Sequence, residues 1–228
     1  GLCSDKLDEA QAATVFAAAG VPVAATQVIE FDHSLQDDSA GRIEVDLAFP
    51  LAVKMLSHTI THKTELGGVV LGVCDPAGVH SAVMQIATSA AAHGEQVHRF
   101  MLQSMVHGVA EAVIGYRLDA EVGPIISVGV GGRLTEIYKD VALRLAPLDR
   151  DGAMAMIDEV KGFAILRGFR GLARGDVDAL ADAIVSMSLL AMARPVVSEA
   201  EINPLIIGAQ GQGVSAVDAV LLLAEPDT

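Results

Sequence analysis

The sequence predicts an α+β protein of two lobes, and three observations point to it. Ala, Val, Leu and Ile supply most of a 52% hydrophobic content, while aromatics make up 4% and Trp is absent. That balance suits helices packed on sheets better than a β-sandwich. Strand-length apolar runs alternate with segments whose apolar residues recur at helical spacing. After Gly94-Glu95-Gln96 the pattern turns rich in strands, which divides the chain into lobes at 1–96 and 97–228. A cleft between two such lobes is the default place for a ligand.

The elements follow in order. Residues 7–19 read as an Ala-rich helix capped by Ser4 or Asp8 and closed by Gly20. Val21-Pro22-Val23 ends that unit, and 27–31 is a strand. The polar stretch 32–46 is an irregular helix or a solvated loop. Residues 49–55 and 67–73 are strands. Val79, Val83, Ile86 and Ala90 fall at helical intervals, so 76–93 is an amphipathic helix starting at Asp75. Runs at 100–106, 109–118 and 123–130 are strands separated by turn residues. Gly131-Gly132 breaks them from the segment 134–145. Met154, Ile157 and Val160 mark a short helix, and Gly168-Phe169-Arg170-Gly171 a loop. Leu180, Ile184, Met187 and Ala191 mark another helix. Strands at 202–207 and 214–223 flank a hairpin loop at 208–213. No internal repeat is present.

Composition excludes several functions. No apolar run reaches the roughly 20 residues that span a bilayer. The N-terminus has neither an initiator Met nor a basic segment followed by an apolar one, so no secretory signal is read there. Cys3 and Cys74, the two cysteines, give no disulfide framework or zinc spacing. A reducing cytoplasm is the expected compartment. A net charge of −14 disfavours nucleic acid as a partner. A nucleotide bound to so acidic a chain needs cations gathered at one site, or Mg²⁺.

Three groups of residues can carry chemistry. The first is a strand lysine, Lys54, followed by Thr61-His62-Lys63-Thr64-Glu65-Leu66-Gly67-Gly68. Two lysines beside a glycine-containing turn suit a polyphosphate, whose oxygens can be met by ammonium groups and backbone N–H. No Walker A string occurs, so any phosphate site has another design. His62 can act as a phosphoryl acceptor or be one more of seven histidines. His58 and His62 are four apart, but Thr59-Ile60-Thr61 between them disfavours the helix a zinc pair needs. The second group is Glu199, Glu201 and Asn203, on one face of a strand by the two-residue period, with Asp218 amid apolar residues on the next. Hard oxygens on adjacent strands suit Mg²⁺; the alternative is a solvated edge with one structural Asp. The third is Gly131-Gly132 with Glu136, Lys139, Asp140 and Arg144, either a salt-bridged surface or a place where backbone approaches a ligand. Arg170 is a capping arginine or an anion contact.

Taken in order, these strings resemble the ATP-grasp domain of the NDP-forming acyl-CoA synthetases. That family comprises the ADP-forming acetyl-CoA synthetase β subunit and its fused relatives, related to the succinyl-CoA synthetase β subunit. The strings are Ala18-Ala19-Gly20-Val21-Pro22-Val23, Phe49-Pro50-Leu51-Ala52-Val53-Lys54, His62-Lys63-Thr64-Glu65-Leu66-Gly67-Gly68-Val69 and Gly123-Pro124-Ile125-Ile126. Then come Gly131-Gly132 with Glu136, Lys139-Asp140-Val141-Ala142, Arg144-Leu145-Ala146-Pro147-Leu148, Gly168-Phe169-Arg170-Gly171, Glu201-Ile202-Asn203-Pro204-Leu205 and Val217-Asp218-Ala219.

The resemblance implies an ATP-grasp fold holding Mg-nucleotide, and a CoA ligase reaction through an acyl phosphate and a phosphohistidine. It implies that Lys54 contacts nucleotide phosphates, that Asn203 and Asp218 are Mg²⁺ ligands, and that His62 relays the phosphoryl group with Glu201 stabilising its phosphorylated form. Gln103, Ser104, Met105 and Glu111 fall where adenine is contacted, and Lys63, Gly67, Gly68 and Arg144 complete the nucleotide-binding set. The family usually has Ser-Pro where this chain has Ser57-His58, and a small or apolar residue in place of Arg133. The CoA-binding and ligase units are expected on an α subunit or on fused domains, in a homo- or hetero-oligomer. Two other readings keep the nucleotide: a carboxylate–amine ligase without a covalent role for His62, and a non-catalytic nucleotide sensor attached to an acyltransferase.

Overall fold

The computed structural model describes residues 5–31, 43–57, 63, 66–132 and 140–224. Its chain forms two units, one of residues 24–105 and one of residues 1–23 with 106–228. This differs from a division at 96/97. Strand β5 (Arg99–Ser104) pairs with β2 (Thr26–Glu30) on one side and β3 (Leu51–Met55) on the other, so it belongs to the smaller unit. The N-terminal helix α1 (Glu9–Ala18) packs in the core of the larger one.

In the smaller unit the order is β2-β5-β3-β4, all antiparallel, with β4 at Val69–Val73. Helix α2 (Pro76–Ala92) begins where Asp75 accepts the Gly78 N–H and Pro76 takes the first helical turn. The residues at helical spacing, Val79, Val83, Ile86 and Ala90, are the buried ones. They pack with Leu51, Val53, Met55, Phe100 and Leu102. Strand β3 is buried along its whole length.

In the larger unit the sheet runs β1-β11-β9-β6-β7-β8, and β10 also pairs with β9. The strands are β1 (Asp5–Lys6), β6 (Ala110–Asp119), β7 (Gly123–Val130), β8 (Val141–Leu145), β9 (Val197–Ile207), β10 (Val214–Ala216) and β11 (Ala219–Leu223). Asp119 sets the β6–β7 turn by accepting N–H groups from Glu121 and Val122, which hold its carboxyl below the usual range. Helix α3 (Arg150–Glu159) packs against β8, and α4 (Val177–Ser188) over β6 and β7. They and α1 bury one sheet face around Phe16, Ile114, Tyr116, Ile126, Met156 and Ile184. Asp8 and Gln11 form a reciprocal capping box on α1.

The expected strand 214–223 is two strands, β10 and β11, with Val217 and Asp218 between them, still hydrogen-bonded to β9. The stretch expected over 202–207 starts earlier, at Val197. Most of the polar stretch 32–46 lies outside the described residues, and 43–46 are neither helix nor strand. No described helix is long and apolar enough to cross a membrane.

Candidate functional site

Candidate residues fall in both units. In the smaller unit, Lys54 lies in register with Val69 on β4 and Met101 on β5, and Gln103 lies in register with Ala52. Strand alternation therefore sets Lys54, Met101 and Gln103 on the sheet face opposite to that carrying Leu51, Val53 and Met55. Lys54 is 6% exposed and Gln103 5%. An ammonium group so enclosed is costly without compensating polar groups. The Ser104 N–H donates to the Ala25 carbonyl (2.9 Å) and the Met105 N–H to the Pro50 carbonyl (3.1 Å). Neither amide is therefore left to meet a base at the expected adenine position.

Lys63, Gly67 and Gly68 form a tight turn beside the strand that carries Lys54. The Gly68 N–H donates to the Lys63 carbonyl (2.7 Å), and the Gly68 carbonyl accepts the Met55 N–H (2.9 Å). The paired glycines answer to packing. Gly67 has φ +67°, and a Cβ there would stand 2.9 Å from Ser89 Oγ. A Cβ on Gly68 would stand 2.5 Å from Met55 Sδ and 2.9 Å from the Lys63 carbonyl oxygen. Gly68→Ala is therefore expected to lower stability by about 1–3 kcal/mol, read by denaturant unfolding. An unchanged midpoint would show that Met55 yields without cost. His62, Thr64 and Glu65 lie outside the described residues, as does His58.

In the larger unit, β9 buries Val197, Ala200 and Ile202 and exposes Glu199, Glu201 and Asn203, so the expected shared face is present. It is the face opposite to the one on which α1, α3 and α4 pack. Asn203 Nδ2 donates to Glu201 Oε1 (3.3 Å), which leaves the amide oxygen as its acceptor end. Asp218 reaches this strand from its neighbour: the Asn203 N–H donates to the Asp218 carbonyl (3.2 Å). Its side chain was expected within a buried strand; it is exposed instead, in the two-residue stretch between β10 and β11. Asp218 Oδ1 accepts the Ala219 N–H (3.0 Å). Glu111 is exposed near the start of β6, and its carbonyl accepts the Gly131 N–H (2.8 Å).

Asn203 and Asp218 offer hard oxygens at an exposed place, a donor set whose chemistry fits Mg²⁺. Among the described residues no group of three or more His, Cys, Asp or Glu could hold a metal by itself.

Three expected contacts have structural roles. Arg144 lies in register with buried Ile126, on the helix-covered side of β8, and its guanidinium bonds Glu159 of α3 (2.6 Å). It is thus on the opposite face from Glu201 and Asn203. Asp140 accepts the N–H groups of Lys161 (3.2 Å) and Gly162 (2.7 Å), capping the 3₁₀ turn that follows α3. Gly131 serves close approach to β6, since a Cβ there would stand 2.9 Å from the Ala112 carbonyl. Arg170 is exposed in a left-handed conformation (φ 51°), with its guanidinium 5.2 Å from the Phe169 ring centroid. Glu136 and Lys139 lie outside the described residues.

A family profile described as ATP-grasp domain matches residues 3–223. The chain is 33% identical over 216 residues to acetate–CoA ligase [ADP-forming] I of Archaeoglobus fulgidus, covering 92% of this chain and 31% of that protein. It is 31% identical over 219 residues to acetate–CoA ligase [ADP-forming] I subunit beta of Pyrococcus furiosus, covering 95% and 91%. The dinucleotide forming acetyl-coenzyme A synthetase 1 of Ca. Korarchaeum cryptofilum, solved with coenzyme A and Ca-AMPCP, superposes with a TM-score of 0.83 at 27% identity, covering 96% and 93%. The same protein was solved with Mg-AMPPCP and a phosphohistidine segment pointing towards the nucleotide binding site (TM-score 0.79). With its α+β pair of antiparallel sheets, the chain belongs to the ATP-grasp family, among the β subunits and corresponding domains of ADP-forming acetate–CoA ligases.

Proposed function

We propose that this chain is the Mg-nucleotide-binding part of an ADP-forming acyl-CoA synthetase. With a partner subunit or fused domains that bind CoA, it carries out acid + CoA + ATP ⇌ acyl-CoA + ADP + phosphate. The observation that carries this reading is the match along nearly the whole length of a β subunit. The enclosed strand lysine and the exposed Glu201–Asn203–Asp218 group support it.

Lys54 holds nucleotide phosphate oxygens, with the turn of Lys63, Gly67 and Gly68 beside it. Asn203 and Asp218 would hold Mg²⁺, which would offset the negative charge on the phosphate oxygens. A ring nitrogen of His62 forms a bond to the γ-phosphorus as the bond to the ADP oxygen breaks, and ADP leaves. Glu201 stabilises the resulting phosphohistidine. The phosphoryl group then passes to the acid on the partner, and the CoA thiol displaces phosphate from the acyl phosphate. Relatedness to CoA ligases favours this chemistry over a carboxylate–amine ligase or a nucleotide sensor.

The test is γ-labelled ATP with the complete enzyme. Label that is acid-labile and base-stable is expected on this chain and lost in His62→Asn. Undiminished label in that variant would remove His62 from the reaction.

A further inference from the structure

Helix α2 carries three hydroxyls, and two behave as helix hydroxyls commonly do. Ser81 Oγ donates to the Ala77 carbonyl and Thr88 Oγ1 to the Met84 carbonyl, each four residues back. Ser89 departs from this. Its Oγ leaves the helix and donates to the Leu66 carbonyl at 2.7 Å, 23 residues away in sequence. Leu66 lies inside the turn whose ends are joined by the Gly68 N–H and the Lys63 carbonyl. The turn is thus tied to β3 through Met55 N–H to the Gly68 carbonyl and to α2 through the Ser89 hydroxyl, while Leu66 packs against the core below. Gly67 is fitted to that hydroxyl: any Cβ there would stand 2.9 Å from Ser89 Oγ.

We propose that Ser89 is a positioning residue that clasps the turn at Leu66, Gly67 and Gly68 to α2 and so sets it beside Lys54 for phosphate binding. The functional half rests on the nucleotide reading above; the clasp itself stands on geometry. A turn without this hydrogen bond samples other positions more often, and each one away from the nucleotide lowers apparent affinity by the fraction lost. Without the Ser89 hydroxyl, the Leu66 carbonyl has no α2 donor.

Ser89→Ala and Ser89→Thr separate the possibilities. Hydrogen exchange at the Gly68 and Met55 amides is read by mass spectrometry, and Mg-ADP affinity by calorimetry, on the same preparations. In Ser89→Ala, exchange at both amides is expected to rise about fivefold to tenfold, the effect of one lost hydrogen bond. Mg-ADP affinity is expected to fall by a similar factor, with the exchange of β2 and β5 unchanged. Ser89→Thr keeps the hydroxyl and is expected to restore both. Unchanged Gly68 exchange in Ser89→Ala would overturn the clasp. Faster exchange with unchanged affinity would overturn its role in positioning. Wild-type protein that binds no nucleotide would sink the nucleotide reading and with it the functional half. Exchange at Gly68 would then still decide the clasp.

Discussion

Lys54→Met is expected to lower Mg-nucleotide affinity about tenfold to hundredfold while the chain stays folded. A charge-assisted bond to phosphate contributes roughly 1.5–3 kcal/mol, which converts to that range. Methionine is close to lysine in length and flexibility, so it fills the place between Val69 and Met101 without a cavity. Lys54→Arg is not expected to restore binding. The position is 6% exposed, and a planar guanidinium is wider than an ammonium group and bonds in a fixed fork. Titration calorimetry on the variants checks the expectation. Binding by Lys54→Met within a factor of two of wild type would remove Lys54 from the phosphate site and leave it a structural lysine.

The second large effect is expected at Asp218 and Asn203. Asp218→Ala removes a carboxylate from an exposed place, so its effect on folding is expected to be within about 0.5 kcal/mol. Its effect on function is expected to be specific: nucleotide binding loses its Mg²⁺ dependence, while the weaker metal-free binding stays as it was. Asn203→Ala is expected to act in the same direction and less strongly, because an amide oxygen is a neutral ligand and its loss removes no charge. Nucleotide titrations at several Mg²⁺ concentrations read this directly. Equal loss of binding with and without Mg²⁺ would mean that these residues shape the site rather than hold the ion.

What was legible in the sequence follows how local each feature is. Asp8 and Asp75 announce their helices because a cap acts over three residues, and the apolar spacing of Val79, Val83, Ile86 and Ala90 named the buried face of α2. The alternation through Glu199, Glu201 and Asn203 read correctly for the same reason. Features that depend on a distant partner did not read. The apolar run after residue 99 is visibly a strand, but its choice of β2 and β3 as neighbours is set by tertiary pairing, and this moved the unit boundary. Asp218 looked buried by its neighbours in sequence; it lies exposed between β10 and β11. Arg144 alternates plainly with Leu143 and Leu145, yet which face the helices cover is decided by α3 and α4. For Gly131-Gly132 the sequence left a salt-bridged surface and a ligand approach both open. What no local pattern shows is that a Cβ on Gly68 would meet Met55 and one on Gly131 the backbone at Ala112. Ser89 gave no signal, because a helical serine usually bonds within its own helix.

Titration of the wild-type chain with ADP and ATP, with and without Mg²⁺ and beside Asp218→Ala, tests the central claim most directly. The account predicts saturable heats at one site per chain, strengthened by Mg²⁺ in the wild type and unaffected by it in Asp218→Ala. Well-folded protein that gives no heat with either nucleotide would contradict it.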